Sequence, residues 1–142
     1  MNVKAILQRK GNEVVTAAGD ITLNEAVAIL EEHKIGAIVI LGASGEVRGI
    51  LSERDVVRAL AREGSGALDG PVSRYMTGKV VRCTQENSVN EVMTVMTNSR
   101  FRHLPVEADG RLAGIVSIGD VVRMRIEEVE REAEDMKAYI AS

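Results

Sequence analysis

Two serine–aspartate pairs are the residues of this chain whose types and spacing could do chemistry. Ser52 stands three residues before Asp55, and Ser117 stands three residues before Asp120. Each pair follows an apolar run and opens a helical pattern, so it has the form of a capping box that satisfies free helix N–H groups. The same arrangement could hold a nucleotide, because helix N-termini attract anions and an ionised aspartate can accept hydrogen bonds from both hydroxyls of a ribose. The spacing alone leaves both interpretations open.

The two pairs belong to an internal duplication. Residues 49–52 (GILS) match residues 114–117 (GIVS), and residues 55–58 (DVVR) match residues 120–123 (DVVR). The offset of about 65 residues is longer than the repeats of common solenoid proteins. The chain is therefore interpreted as two copies of one unit.

Each copy has the pattern of a strand, a helix, two strands and a second helix. Short β-branched runs at 14–15 and 80–82 predict the first strands. Thr22 with Glu25, and Ser88 with Glu91, form capping boxes that predict where the first helices begin. Two hairpins follow, over 37–41 with 47–51 and over 103–106 with 112–116. The closing helices begin after Ser52 and Ser117, and their inner faces are predicted from Val56, Val57, Leu60, Val121 and Val122.

The predicted fold class is α+β, built from two tandem β-α-β-β-α repeats. A first domain is predicted over 1–63, with an N-terminal helix, and a second over 74–142, with a C-terminal helical extension. Residues 64–73 are rich in Gly and polar residues and are interpreted as an exposed linker. Small sheets with helices on one face cannot close a core alone, so we expect the two copies to pack together.

Composition argues against several classes of protein. A formal net charge of −3 gives no electrostatic reason to expect nucleic acid as a partner. No apolar run reaches the roughly 20 residues that a membrane-spanning helix needs, so no membrane is expected. The first residues lack the apolar core of a secretory signal, which predicts a cytoplasmic protein. The single cysteine, Cys83, cannot form an intramolecular disulfide and is expected to be a buried thiol.

The sequence predicts no enzyme. It contains two histidines and lacks a Gly-x-x-x-x-Gly-Lys phosphate loop, a His-Glu-x-x-His motif and a Gly-x-Ser-x-Gly motif. We therefore expect neither catalytic residues nor a metal site. Asp55 and Asp120 could be imagined as an acid and a base, but their recurrence at equivalent helix starts favours two similar binding sites.

The repeated unit resembles a pair of CBS (cystathionine β-synthase) domains. The resemblance rests on HKIGAIV at 33–39 and FRHLPV at 101–106 on the second strands, and on Gly-apolar-apolar-Ser-x-x-Asp after the third strands. It covers nearly the whole chain. It implies two copies that pack through their sheets with pseudo-two-fold symmetry, in a small stand-alone protein of bacterial type.

The same resemblance implies a function. Such modules bind adenosyl ligands in two clefts between the repeats and act as regulatory sensors, for example of energy state, on a protein target that is unknown here. The resemblance puts AMP first, with NAD, NADH, ATP and S-adenosylmethionine as alternatives and no catalytic cofactor. A purely structural dimerisation module without ligand is the remaining alternative.

A set of nucleotide-binding residues follows from the resemblance. Asp55 and Asp120 would hold ribose hydroxyls, and Ser52 and Ser117 would lie near the ribose or the phosphate. Residues at the start of each second strand would border the base and the phosphates, namely Ile35, Gly36, Ala37 and Ile38 in the first copy and Arg102, His103, Leu104 and Pro105 in the second. Thr16 and Thr84, near the first strands, rank after these and could instead turn the backbone.

The two implied sites differ in charge. Arg54 in the first copy aligns with Gly119, whereas the second copy has Arg102 and His103 where the first has small neutral residues. We expect these three cations to meet phosphate charge, which predicts two sites of unequal affinity or ligand. Surface ion pairs would equally explain the arginines, and a hydrogen-bonded core position would explain His103.

The C-terminal stretch carries a narrow apolar stripe on a predicted helix, made of Ile126, Val129, Ala133, Met136 and Ile140. This stripe could cover the chain's own core or form a seam with a second chain. The resemblance to CBS pairs, which often dimerise into a flat disc, implies a homodimer.

Overall fold

The computed structural model describes residues 1–141 and divides the chain into two compact units. The repeat-one unit is Glu13–Val80, and the repeat-two unit combines Met1–Asn12 with the chain from Val81 onward. In chain order the elements are α1 (Val3–Lys10), β1 (Thr16–Ala18), α2 (Leu23–His33), β2 (Ala37–Leu41), β3 (Val47–Ser52), α3 (Glu53–Glu63), a 3-10 helix (Gly64–Asp69), α4 (Val72–Tyr75), β4 (Cys83–Thr84), α5 (Val89–Ser99), β5 (His103–Ala108), β6 (Arg111–Ser117) and α6 (Ile118–Ala141).

Each unit contains one three-stranded sheet with the same topology. The strand orders are β1-β2-β3 and β4-β5-β6, in which the first pair is parallel and the second is an antiparallel hairpin. The predicted α+β class and the tandem β-α-β-β-α order are confirmed. The first strands begin at Thr16 and Cys83, slightly later than the valine runs that predicted them. The predicted runs 14–15 and 80–82 therefore end just before the strands, although the Val15 carbonyl still accepts from the Val39 N–H at 3.1 Å.

Side chains at the helix starts fix where the first helix of each repeat begins. The Glu25 N–H donates to Thr22 Oγ at 3.1 Å, and the Glu91 N–H donates to Ser88 Oγ at 3.0 Å. Each glutamate also reaches back to the N–H of its cap residue, so both predicted capping boxes are confirmed.

A segment from outside the β-α-β-β-α repeat completes each unit. The Val72 N–H donates to the Ile21 carbonyl at 2.8 Å in the repeat-one unit, and the Val3 N–H donates to the Asn87 carbonyl at 2.9 Å in the repeat-two unit. These acceptors occupy equivalent turns, just before α2 and α5. Helix α1 thus docks on repeat two in the same way that the segment around α4 docks on repeat one.

The docked segments supply core side chains. Val3, Ile6 and Leu7 are at most 3% exposed and join the apolar core of the repeat-two unit. Ala67 and Val72 do the same in the repeat-one unit, at 1% and 0% exposure. The segment predicted as an exposed linker therefore differs from that expectation at these two positions, because their apolar side chains close a core.

Cys83 lies in the core of the repeat-two unit, as the sequence predicted for it. Burial raises the pKa of the Cys83 thiol to about 12, since the interior disfavours the thiolate. The thiol therefore stays protonated near neutral pH.

The predicted inner face of the closing helices is partly wrong. Val121 is fully buried, and Val56 packs against the repeat-one core, as expected. Val57, Leu60 and Val122, however, are 66%, 38% and 42% exposed. The helix start explains the difference for α3, because the cap turns Asp55 and Ala59, four residues apart, toward the interior.

Helix α6 is one continuous helix of 24 residues, which joins the predicted closing helix to the predicted C-terminal extension. The apolar stripe along it is exposed within the described chain, with Ile126 at 52%, Val129 at 48%, Met136 at 61% and Ile140 at 77%. Over residues 1–141, no helix is both long enough and apolar enough to cross a bilayer.

Two glycines provide the space into which the docked segments fit. A Cβ at Gly49 would lie 2.7 Å from Met76 Sδ and 2.7 Å from the Thr77 carbonyl oxygen. A Cβ at Gly114 would lie 2.8 Å from Leu7 Cδ2. The first clash involves backbone, whereas the second involves only the flexible end of a side chain.

Replacement of Gly49 by Ala should therefore lower the free energy of unfolding by about 1–3 kcal/mol, as overpacking does, and Gly114→Ala should cost less. Urea denaturation measures both changes. Gly66→Ala is the control, because nothing lies within 4 Å of its added Cβ. Equal midpoints for Gly49→Ala and Gly66→Ala would show that the close approach is not a constraint.

Candidate functional site

Asp55 is a buried carboxylate at the start of α3, with 4% of its side chain exposed. Its Oδ2 accepts from the Ser52 N–H at 2.9 Å and from Ser52 Oγ at 3.1 Å, and the Asp55 N–H donates back to Ser52 Oγ at 3.3 Å. Its Oδ1 accepts from Arg58 at 3.2 Å and from Thr77 Oγ at 3.3 Å. The capping interpretation of the Ser52–Asp55 pair is thus confirmed.

Asp120 has the equivalent place at the start of α6, with 8% of its side chain exposed. The Ser117 N–H donates to Asp120 Oδ2 at 2.8 Å, and the Asp120 N–H donates to Ser117 Oγ at 3.2 Å. Lys10, at the end of α1, donates to Oδ2 at 2.8 Å, and Arg123 donates to Oδ1 at 3.0 Å. The carboxylate is therefore capped locally and paired with a cation from the far end of the sequence.

The pKa of Asp120 is lower than its usual value because hydrogen bonds and a nearby positive charge outweigh the effect of burial. Burial alone would raise it. Hydrogen bonds from the Lys10 ammonium and from the Ser117 N–H, together with the Lys10 charge, outweigh that effect, since they favour the ionised carboxylate. Asp120 is consequently an ionised acceptor at neutral pH.

The predicted second-strand residues lie beside the serine–aspartate pairs. Ala37 pairs with Ser52 across the hairpin, and His103 pairs with Ser117. The carbonyl of Gly36 accepts from the first N–H of α3 at 3.0 Å, and the carbonyl of Arg102 accepts from the first N–H of α6 at 2.8 Å. Ile38, Leu104 and Pro105 are buried on the strands, and Ile35 is half-buried.

The three predicted cations differ in their placement. Arg54 is exposed on the first turn of α3, and Arg102 is exposed just before β5. His103 is half-buried on β5. Arg54 is next to Asp55 in sequence, and Arg102 and His103 lie beside Ser117 across the hairpin. Each cation is therefore close to the serine–aspartate pair of its own repeat.

Thr16 and Thr84 occupy non-equivalent positions. Thr16 is exposed on β1 and pairs with Val39, two residues along β2 from Ala37. Thr84 pairs with Glu107, four residues along β5 from His103, and its N–H and hydroxyl donate to Asn87 Oδ1 at 2.8 and 3.3 Å. Thr84 therefore turns the backbone, which was the alternative interpretation for it.

Four polar partners of the aspartates were not predicted as site residues. Arg58 and Arg123 repeat in sequence three residues after each aspartate, so helical spacing was a sufficient signal for them. Thr77 and Lys10 reach the site only through the docked segments, and no local pattern indicates that contact. Among residues 1–141, no cluster of three or more His, Cys, Asp or Glu side chains could hold a metal ion.

Comparison with known proteins identifies the repeated unit. The family model described as "CBS domain" matches residues 3–62 and 72–127, one match for each repeat. The chain belongs to the CBS domain family. Helix α6 of this CBS pair continues for 14 residues beyond the second match, from residue 128 to Ala141.

Solved and curated relatives agree with this assignment. A CBS-domain-containing protein of Agrobacterium tumefaciens is 51% identical, with a TM-score of 0.85 over 87% of this chain and 92% of that one. The mitochondrial CBS domain-containing protein CBSX3 of Arabidopsis thaliana is 37% identical over 125 residues, which are 85% of this chain and 61% of that protein. The chain thus spans about three fifths of that relative's length.

A third relative was solved with ligands. The CBS domain pair of protein MJ0100, in complex with 5′-methylthioadenosine and S-adenosyl-L-methionine, is 28% identical, with a TM-score of 0.80 over 90% of this chain and 98% of that one. Both of those ligands contain an adenosine unit with a ribose diol.

The lowered pKa of Asp120 predicts how acid affects stability. Because the folded pKa lies below the unfolded value near 3.8, the ionised carboxylate contributes stability above that value, and the contribution is lost as the pH falls through the folded pKa. Asp120→Asn should cost about 1–3 kcal/mol at pH 7, the usual cost of mismatching a buried hydrogen-bonded group, and less at pH 2.

Urea unfolding of both proteins across this pH range measures the difference. Asp135→Asn, at an exposed position on α6, is the control and should change little at any pH. If the free energies of unfolding of Asp120→Asn and the unmutated protein differ by the same amount at every pH, the lowered pKa of Asp120 is contradicted.

Proposed function

We propose that this CBS pair is a non-catalytic regulatory module that binds an adenosyl ligand at its serine–aspartate pairs. The observation that carries the proposal is that both repeats have, at a helix start, an aspartate with less than a tenth of its side chain exposed. A carboxylate there can accept both hydroxyls of a ribose, and the helix N-terminus favours an anionic group nearby. The ligands of the MJ0100 CBS pair have the ribose that this arrangement suits.

The proposed binding residues are those that lie around each pair. In the first repeat they are Ser52 and Asp55 with Arg54 and Ile35, Gly36, Ala37 and Ile38, and in the second they are Ser117 and Asp120 with Arg102, His103, Leu104 and Pro105. The register places the start of β2 beside Ser52 and the start of β5 beside Ser117, which supports this grouping. Thr16 and Thr84 remain secondary members.

Regulation suits this chain better than catalysis. CBS domain pairs are generally regulatory modules, and both aspartates here are engaged in hydrogen bonds at equivalent caps. A bound ligand would shift the balance between arrangements of the protein by its difference in affinity for them. The response would be transmitted to a protein target in the cytoplasm. AMP is the first proposed ligand, with NAD, NADH, ATP and S-adenosylmethionine as alternatives.

A ligand panel tests the proposal. The protein is mixed with AMP, ADP, ATP, NAD, NADH, S-adenosylmethionine or 5′-methylthioadenosine, and its unfolding is followed by calorimetry. The true ligand at about 100 times its Kd should stabilise the protein by about 2.7 kcal/mol. The double variant Asp55→Ala/Asp120→Ala, compared with its own ligand-free state, should lose that stabilisation.

Asp135→Ala is the matched control, because it removes an exposed carboxylate far along α6 and should keep the full response. If none of the seven ligands stabilises the protein, the binding function is refuted and a purely structural module is favoured. Stabilisation that survives in the double variant would place the ligand elsewhere.

We also propose that the module is a homodimer. The proposal is supported by apolar side chains that the described chain leaves exposed, above all the stripe along α6. Exposed apolar surface of this kind is commonly covered by a partner. A second copy of the chain would offer the same stripe, as two-fold dimers require.

Charge placed on the stripe should dissociate such a dimer. Val129→Lys/Met136→Lys is expected to halve the mass measured by light scattering after size-exclusion chromatography, because lysine is costly to bury in an apolar seam. Ala138→Lys adds the same charge at an exposed position on the opposite face of α6 and should remain dimeric. A monomeric unmutated protein would refute the proposal.

A further inference from the structure

The two aspartates receive different donors from the docked segments. In the repeat-one unit the Thr77 N–H donates to the Ile50 carbonyl at 2.9 Å, and Thr77 Oγ donates to Asp55 Oδ1 at 3.3 Å. In the repeat-two unit Lys10 Nζ makes both equivalent contacts, to the Ile115 carbonyl at 3.0 Å and to Asp120 at 2.8 Å. A charged side chain thus has the place that a neutral residue has in the other repeat.

The donors also reach different oxygens of the carboxylate. Thr77 and Arg58 both occupy Oδ1 of Asp55, while the backbone and hydroxyl of Ser52 occupy Oδ2. A carboxylate offers about four acceptor positions, so the described contacts fill all of them at Asp55.

The donors around Asp120 are arranged differently from those around Asp55. The Ser117 N–H and Lys10 share Oδ2 of Asp120, and the Ser117 side chain adds a hydrogen bond to the carboxylate. The described donor at Oδ1 is Arg123, whose side chain is 73% exposed. Exposed ion pairs of this kind contribute little and exchange easily with solvent. At Oδ1 of Asp120 a ribose hydroxyl would therefore have to displace only the exposed Arg123, whereas at Oδ1 of Asp55 it would meet Thr77 as well as the exposed Arg58.

We propose that Lys10 is a positioning residue that makes the Asp120 site the tighter of the two adenosyl sites, and this inference rests on the proposed function. Lys10 compensates the charge of the buried carboxylate from the Oδ2 side and leaves Oδ1 for the ligand. Its own side chain is 31% exposed and held at two points, so the ammonium is fixed in place. Thr77, in contrast, occupies the oxygen that a ligand would need.

Calorimetric titration with AMP and with adenosine tests the role of Lys10. In an Asp55→Ala background, which isolates the Asp120 site, Lys10→Met should weaken both ligands by the same factor, about tenfold or more, because a charge-assisted hydrogen bond is lost. Lys10→Arg should restore most of the affinity. Lys4→Met, at an exposed position on the same helix, should change nothing.

A second arm does not depend on the folding of a Lys10 variant. In an Asp120→Ala background, Thr77→Val should tighten adenosine binding at the Asp55 site, because it frees one acceptor position while it preserves side-chain shape. Weaker or unchanged binding in this arm would overturn the accounting of acceptor positions on which the inference depends.

The outcomes separate the two proposals. If the unmutated protein binds neither AMP nor adenosine, the proposed function fails, and the role of Lys10 fails with it. If it binds and Lys10→Met has no effect, only the inference on Lys10 is overturned. If Lys10→Met weakens AMP but not adenosine, Lys10 contacts the phosphate directly and is not a positioning residue.

Discussion

In each repeat a docked segment from outside the β-α-β-β-α unit helps to cover the apolar surface of the small sheet, and each segment packs closely against a glycine. Met76 and Thr77 lie against Gly49 in one unit, and Leu7 lies against Gly114 in the other. The same docking places a hydrogen-bond donor beside the buried aspartate that opens the closing helix. In each unit the same docked segment therefore supplies both core side chains and a hydrogen-bond donor to the aspartate. A change in how the segment docks would affect both the core and the candidate site.

The docked segments explain why the two aspartates have different hydrogen-bond donors although the sequence around them is repeated. Serine, aspartate and arginine recur at both helix starts, so both carboxylates have the same local partners. The docked segments differ in the residue that reaches the carboxylate. It is Thr77 in the repeat-one unit and Lys10 in the repeat-two unit. A buried carboxylate requires compensation, and the two repeats meet that requirement with different donors, a neutral hydroxyl at Asp55 and an ammonium at Asp120.

Local features of the fold could be predicted from the sequence, and distant ones could not. The capping boxes at Thr22 and Ser88 and both hairpins were predicted because neighbouring residues determine them. The burial of Val57 and Val122 was predicted wrongly, since an apolar residue type does not show which face of a helix the cap turns inward. Lys10 lies 110 residues from Asp120, and Thr77 lies 22 residues from Asp55. No sequence motif links either pair, so the spacing of residues could not indicate these contacts. The family resemblance pointed to the two serine–aspartate pairs as candidate residues, but not to Lys10 and Thr77, the donors that differ between them.

Helix α1 leaves the ribosome well before the elements on which it packs. Its apolar face, formed by Val3, Ile6 and Leu7, belongs to a core whose other members begin at Cys83. At translation rates of about 5–20 residues per second, roughly 4–15 seconds pass between the synthesis of α1 and that of β4. During that interval the residues of the repeat-one unit are synthesised, while the apolar face of α1 still lacks the core on which it packs. The order of synthesis therefore differs from the order of packing, because the first helix described here is covered only by the repeat that is made last.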